Sequence, residues 1–438
     1  MTVMPQLPQA SPLTPPGSGL NPSRSALANG VVVIAKQTRT IPAVTINLAI
    51  RAGSVCDPAN APGAMYLLSR VIDRGTASRS GVEIAEDLDS RGITLTTSVT
   101  RHLFSLACTC LSEDFDAVCA LLGDIVMSPT LPDAELAIRK AEVVTAIRQD
   151  EDNPAIRAVE SLMDLLYPRH PYGRRTKGTA EVVEQLTRDR LADLRAKRFA
   201  PSELSVVVVG DLSVDRARDV AAGVFGDWLA PPPDAVQLPQ VTPATRRQRL
   251  VISMTNKAQA DVAYGFTTIR RNDPAFYASS LMNNILGQYS MGGRLGDSIR
   301  ERQGMAYYAF SSLDANVAEG PLVVRAGISR ENVDRAVASI DDEIGRFARE
   351  GATVQELKES QQYLIGSMPR ALETNAAIAV FLQTAELFGL GLDYDLRLPG
   401  HLRAVTLDEV NAAARRILDP DRASVVIAGP YGDQDTME

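Results

Sequence analysis

The chain has 438 residues, of which 45% are hydrophobic and 22% charged, a composition that excludes a disordered or fibrous protein. The formal net charge of −8 argues against nucleic acid or an anionic membrane surface as the main partner, because both favour clustered basic residues. Apolar runs are far shorter than the roughly 20 residues that cross a bilayer, and the length suits two or three domains.

Residues 1–24 are predicted to form a disordered tail. This segment has prolines at positions 5, 8, 12, 15, 16 and 22 and lacks the apolar core of a secretion signal. Cytoplasm is therefore the expected compartment, as a default.

Residues 25–228 are predicted to form a first domain in which strands precede helices. The hydrophobic pattern predicts strands at 31–35 and 44–52, helices at 63–74 and 82–91, a hairpin of 93–99 with 102–111, and helices at 115–127 and 134–149. The proline-rich stretch 229–247 is typical of a semi-stiff linker.

Residues 248–432 are predicted to form a second domain with the same order of elements. The pattern predicts strands at 250–254 and 260–267, helices at 274–286 and 295–303, and a hairpin of 306–314 with 321–328. Segment 186–210 also aligns without a gap on 405–429. In each copy a Thr-x-Asp helix start is followed by a proline, a buried strand and a glycine. We interpret this as divergent duplication. The expected fold is α+β, with two homologous domains that each have a mostly antiparallel sheet and helices packed on one face.

Four cysteines show no spacing typical of a disulfide framework: Cys56, Cys108, Cys110 and Cys119. Cys108 and Cys110 lie on one face of an alternating strand, so we interpret both as core residues. A zinc site or a disulfide is the alternative.

The first half contains a series of short motifs in a fixed order: Arg51–Ala52–Gly53–Ser54, Gly63 through Arg74–Gly75–Thr76, Leu88 with Gly92, Asp152–Asn153–Pro154, His170–Pro171–Tyr172–Gly173, and Val206–Val209–Gly210–Asp211. Together these motifs resemble the pitrilysin and mitochondrial-processing-peptidase family of zinc peptidases, specifically its smaller two-domain members that work as dimers. The resemblance covers nearly all of the chain from about residue 27 to residue 430.

Active members of this family carry an HxxEH motif on the helix that ends before the Gly–Thr pair. Its two histidines bind Zn²⁺, the glutamate between them activates a water molecule, and a glutamate from a later helix is the third ligand. Counting back from Gly75–Thr76, the His, Glu and His positions are occupied by Tyr66, Ser69 and Arg70. The third-ligand position is Ala146.

These four residues do not replace the zinc ligands or the base. A neutral phenol such as Tyr66 is a poor ligand, Ser69 cannot act as a carboxylate base, and Arg70 places a permanent cation where Zn²⁺ would lie. The three histidines of the chain lie far apart and are interpreted as structural or surface residues: His102, His170 and His401. We therefore expect no metal on this chain and no peptide hydrolysis by the chain alone.

The second half resembles the C-terminal domain of the family, in which an arginine precedes a tyrosine by seven residues across a helix-to-strand turn. Here the pair is Arg300 and Tyr307. The resemblance implies that both bind the substrate backbone opposite the zinc, as donors to a peptide carbonyl and a developing oxyanion. Alternatively, Arg300 is a solvated helix residue beside Glu301 and Tyr307 packs within a strand. The stretch Gly287–Gly293 is either a loop that contacts substrate or a plain connection.

A lost metal site and a retained substrate-binding pair predict a division of labour between two chains. The chain is expected to be the non-catalytic, substrate-binding subunit of a heterodimeric zinc metalloendopeptidase, acting in trans on an extended peptide. Its partner would be a homologous catalytic subunit that has an intact HxxEH motif and carries the Zn²⁺. Two alternatives remain: a structural or assembly scaffold with no role in proteolysis, and a peptide-binding module that acts alone.

Overall fold

Residues 19–288 and 293–432, described by a computed structural model, form two α+β halves with one sheet each. The strands of the first half are β1 (Ser23–Ala26), β2 (Val32–Gln37), β3 (Ala43–Ile50), β4 (Thr96–Val99), β5 (Phe104–Leu111) and β6 (Leu204–Gly210). Its helices are α1 (Ala64–Val71), α2 (Gly81–Ser90), α3 (Phe115–Met127), α4 (Asp133–Glu151), α5 (Pro154–Leu166), α6 (Ala180–Gln185), α7 (Arg188–Arg198) and α8 (Val214–Phe225).

The second half has five strands and seven helices among the described residues. The strands are β7 (Gln248–Ser253), β8 (Ala260–Thr267), β9 (Ala306–Leu313), β10 (Pro321–Ile328) and β11 (Ser424–Gly429). The helices are α9 (Phe276–Asn283), α10 (Gly293–Leu295), α11 (Val333–Glu350), α12 (Val354–Ala371), α13 (Asn375–Phe388), α14 (Tyr394–Ala404) and α15 (Leu407–Ile417). π-Helical turns, Asn284–Gln288 and Gly296–Arg302, continue α9 and α10. Within the described ranges, no helix combines the length and the apolar character that a membrane span requires.

Both sheets follow one topology. The strand order is β2-β6-β3-β5-β4 in the first half and β7-β11-β8-β10-β9 in the second, and β1 extends the first sheet beside β2. The last strand of each half has one parallel neighbour, β2 for β6 and β7 for β11, and the remaining pairs are antiparallel. The predicted fold class is confirmed.

The two aligned segments have the same local structure. Thr187 and Thr406 cap α7 and α15, and each hydroxyl accepts a backbone N–H three residues later at 3.3 Å. After each helix a 3₁₀ turn begins at a proline, Pro201 or Pro420, and leads into the last strand of its sheet. This α–turn–β unit therefore occurs once in each half.

Each sheet is covered on one face by helices of its own half and on the other face by one helix of the opposite half. Helix α5 packs on β8 and β11, whereas α13 packs on β3 and β6. Leu162 of α5 lies so close to Gly265 that a Cβ there would be 2.8 Å away. Leu382 of α13 is buried with Val207 of β6. The two halves are therefore joined by exchanged helices as well as by the chain connection at 229–247.

The two predicted non-regular segments differ in the structure. Residues 1–18 of the predicted tail, 1–24, lie outside the described residues, but its last six residues are placed against the molecule. Ser23 begins β1, and Leu20 N donates to Asp395 Oδ2 at 2.7 Å. The tail prediction was therefore too long. The contact of Leu20 with the second half is long-range, and β1, which pairs with β2, has only four residues, so neither leaves a clear local pattern. The predicted linker, 229–247, contains no helix or strand. All four cysteines are buried and free, as expected of core residues.

Candidate functional site

Helix α1, which carries Tyr66, Ser69 and Arg70, is fixed at its start by a buried carboxylate. Asp57 accepts hydrogen bonds from the backbone N–H groups of Gly63 and Met65, each at 2.8 Å. The first N–H groups of a helix have no partner within it, so this carboxylate satisfies two of them. Asp57 is 5% exposed, and burial raises its pKa to about 7.

Ser69, at the position of the catalytic base, is directed into the protein. It is 1% exposed, and its Oγ donates to Tyr66 O at 2.7 Å. Thr97 Oγ1 of the edge strand β4 donates to Ser69 O, also at 2.7 Å. Ser69 therefore serves the helix backbone and helps to tie α1 to the edge of the first sheet.

Tyr66 and Arg70 lie one helical turn apart on the same face of α1. The Tyr66 ring is half-buried against the core, and the Arg70 side chain is exposed. In the part of the chain that the structure describes, neither the Tyr66 hydroxyl nor the Arg70 guanidinium has a hydrogen-bond or ion-pair partner. Both groups are thus free to donate to a ligand.

The residues at the positions of the family's zinc ligands do not fit zinc. Helix α4, which carries the half-buried Ala146, packs against α1, so the two helices that would carry the zinc ligands in an active member are in contact. Together they supply a phenol, a backbone-bonded hydroxyl, a guanidinium and a methyl group, whereas zinc requires nitrogen, thiolate or carboxylate ligands. Among residues 19–288 and 293–432, no three His, Cys, Asp or Glu side chains converge to hold a metal ion.

Two of the histidines meet at Tyr172, although they are far apart in sequence. His102 Nε2 and Tyr172 Oη are hydrogen-bonded at 2.5 Å, and His170 Nδ1 accepts from Tyr172 N at 3.1 Å. Burial, reinforced by Arg101, lowers the pKa of His102 to about 4. Tyr172 Oη also accepts from Ala318 N at 3.1 Å, which links the first half to the β9–β10 turn. This cluster is structural, as the sequence predicted for His102 and His170.

His401, the third histidine, lies in the second half. Its ring stacks on Tyr277 with the centroids 4.8 Å apart.

Arg300 lies in the π-helical turn Gly296–Arg302 rather than in the regular helix predicted at 295–303. π-Helical turns are rare in proteins, and those that occur are often found at functional sites. The Arg300 side chain is 37% exposed, and its ion pair with Glu301 is long, at 3.6 Å. Together with Tyr308 and Phe310 it lines an open groove of about 530 Å³. Arg300 is therefore accessible from the groove.

Tyr307 is the extra residue of a β-bulge. Gly327 of β10 pairs with Tyr308 and Ile328 pairs with Ala306, so Tyr307 opposes no residue. The bulge lies in β9, the edge strand of the second sheet, and Tyr307 is 81% exposed. This exposure excludes the alternative that Tyr307 packs within the strand. Its neighbour Tyr308 instead donates to Asp261, whose carboxylate is buried.

Arg294 anchors the segment that leads to Arg300. Its guanidinium donates to both carboxylate oxygens of Glu356, at 2.6 and 2.7 Å, and to Gly351 O at 2.9 Å. It also lies over the Phe347 ring, 4.3 Å from the centroid. No local sequence pattern predicts this anchoring role of Arg294, because its partners Glu356 and Gly351 lie 62 and 57 residues further along the chain. Residues 289–292 of the predicted loop Gly287–Gly293 lie outside the described residues.

Two family descriptions match most of the chain. "Insulinase (Peptidase family M16)" matches residues 32–180, and "Peptidase M16 inactive domain" matches residues 185–364. The chain belongs to peptidase family M16. The predicted family relationship is confirmed.

Relatives of this M16 chain extend over almost its whole length. An uncharacterized zinc protease of Mycobacterium tuberculosis is 25% identical over 435 residues, which is 98% of each chain. The non-peptidase homolog YmxG of Helicobacter pylori is 25% identical over 386 residues, 87% of this chain and 88% of that protein. A crystal structure described as the peptidase M16 inactive domain from Pseudomonas fluorescens superimposes with a TM-score of 0.87 and 26% identity, covering 94% of this chain and 98% of that chain.

The M16 chain thus has the fold of inactive, non-peptidase members of its family. Its first half presents a motif helix without zinc ligands, and its second half presents an accessible Arg300 and Tyr307.

Proposed function

We propose that this M16 chain is the non-catalytic, substrate-binding subunit of a heterodimeric zinc metalloendopeptidase. A homologous partner with an intact HxxEH motif carries the Zn²⁺ and the base. This chain contributes Arg300 and Tyr307 in trans to an extended peptide held over that metal.

The observation that carries the proposal is the exposure of Tyr307. A large aromatic side chain that is 81% exposed on an edge strand gains little from burial, and a β-bulge directs it away from the ladder. Arg300 faces a groove that follows the same strand. A guanidinium and a phenol can donate to a peptide carbonyl and to the oxyanion that forms from it.

The edge strands support binding of an extended peptide. Within the described residues, β4 and β9 each pair with one strand only, so each leaves backbone N–H and C=O groups unpaired. An extended peptide can add to such an edge through main-chain hydrogen bonds. At β9 the added peptide would run beside Tyr307.

Reconstitution with the zinc-bearing homologue tests this proposal. We expect peptidase activity from the mixture and none from this chain alone. Arg300→Ala or Tyr307→Phe is expected to lower kcat/KM by about 100-fold, the loss typical of removing one oxyanion donor. Arg302→Ala is the matched control, because Arg302 lies in the same turn and pairs on the surface with Asp297 at 2.9 Å.

Other results of the reconstitution would reject the proposal or favour one of its two alternatives. Full activity of the Arg300 and Tyr307 variants in the mixture would reject the trans role. A complex that forms without any gain in activity would favour a structural scaffold, and peptide binding without a complex would favour a module that acts alone.

A further inference from the structure

The former zinc helix carries a second Tyr/Arg pair that the proposed function does not use. Tyr66 and Arg70 share one face of α1, and within the described chain neither the Tyr66 hydroxyl nor the Arg70 guanidinium has a hydrogen-bond or ion-pair partner. Neither residue is needed for the polar network of the helix, which is completed by Asp57 and Ser69. The two side chains are therefore available donors on a rigid support.

The charge of this face is the reverse of that of a metal-free peptidase site. A ligand set of two histidines and a glutamate with a glutamate base brings two negative charges before zinc binds. Here those carboxylate positions are Ser69 and Ala146, and a histidine position is Arg70, which brings one positive charge. In active members this face needs a cation to balance its two carboxylates, whereas here Arg70 makes the face itself positively charged.

An acidic side chain follows Arg70 on the same segment but forms no ion pair with it among the described residues. Asp73 lies three residues further along the chain, and Arg74 holds its carboxylate at 3.2 Å. Burial raises the pKa of the Asp73 carboxyl, and the positive charges of Arg74 and Arg70 act against that rise. The Arg70 side chain is exposed, on a helix that packs against α4 and β4.

We infer that the Tyr66–Arg70 face of α1 binds a carboxylate of an acidic, extended peptide. A guanidinium offers parallel N–H donors that match the two oxygens of a carboxylate, and a phenol hydroxyl adds a third donor. Thr97 ties α1 to β4, so a peptide added along that edge passes beside this face. The inference rests on the proposed function only in taking a peptide as the ligand.

Fluorescence anisotropy with the full chain tests the inference. The probe is a short fluorescein-labelled peptide that contains several glutamates and has an amidated C-terminus, compared with its all-glutamine counterpart. We expect the acidic peptide to bind about fivefold more tightly, with a preference that weakens at high salt. A glutamine peptide with a free C-terminus shows whether a terminal carboxylate is bound equally well.

The variants decide whether Arg70 and Tyr66 are responsible. Arg70→Gln is expected to abolish the preference for the acidic peptide, and Tyr66→Phe to reduce it about twofold. Arg148→Gln is the matched control, because Arg148 is 70% exposed on the facing helix α4 and only weakly paired with Glu184, at 3.8 Å. An unchanged preference in Arg70→Gln, or an equal loss in Arg148→Gln, would overturn the inference.

This result is independent of the reconstitution experiment. If no peptidase activity arises with the homologue but Arg70 still selects the acidic peptide, the proposed function fails and the inference stands. If Arg300→Ala abolishes the activity of the mixture while Arg70→Gln leaves the peptide preference intact, only the inference fails.

Discussion

The two halves of the molecule share a sheet order but differ in the side chains that they leave accessible. In the first half α1 retains its packing, with Leu67 and Leu68 fully buried, while its ligand positions have lost their chemistry. In the second half, Arg300 and Tyr307 remain accessible although packing does not require them. Core contacts are therefore enough to preserve a helix whose ligand positions have changed, whereas packing does not explain an exposed pair on a well-anchored frame.

The largest effect is expected from removing the packing of α1. Leu67→Ala should lower the free energy of unfolding by about 2–5 kcal/mol, because it leaves a cavity in the core of the first half. Arg70→Gln, on the same helix, should change it by less than about 0.5 kcal/mol, since the side chain is exposed and unpaired. Urea denaturation of both variants measures the difference. Similar losses would mean that Arg70 has a structural role and would break the comparison.

A smaller effect is expected at the start of the same helix. Asp57→Asn leaves one acceptor in place of a carboxylate that binds two backbone N–H groups. It should therefore lower the free energy of unfolding by about 1–3 kcal/mol. The pKa of Asp57 is about 7 in the folded chain, against about 3.9 for an unfolded Asp. Between these values the folded chain holds one more proton, so the stability of the wild type falls as the pH rises from about 4 to about 7.

The pH dependence of the free energy of unfolding shows whether the titration of Asp57 contributes to stability. The Asp57→Asn variant lacks the titration, so the stability difference between the wild type and this variant should shrink as the pH rises through that window. Urea denaturation at several pH values measures it. Parallel profiles would show that Asp57 is ionised throughout and that burial does not control it.

Local patterns predicted much of the fold. Helix α3, 115–127, and strand β8, 260–267, have the bounds predicted from the sequence, because each has a clear period and definite ends. The exchange of α5 and α13 was not predictable, since it depends on which half covers which sheet face rather than on the pattern of either helix.

The candidate site was predicted only in part. The positions of Tyr66, Ser69, Arg70 and Ala146 came from motif spacing, and the structure places their two helices in contact. The bulge at Tyr307 and the π-helical turn at Arg300 come from hydrogen-bond register, which depends on partner strands and neighbouring turns. Motif spacing identified Arg300 and Tyr307, but the structure was needed to find that Tyr307 is exposed.

The zinc content of the reconstituted complex is the most direct test of whether the metal belongs to the partner alone. We expect one zinc per pair of chains, located on the partner, and less than about a tenth of a zinc on this chain when it is purified alone, because its donor set does not fit the metal. One tightly bound zinc on the isolated chain, or two per complex, would show that this chain has a zinc site of its own and is not the metal-free subunit.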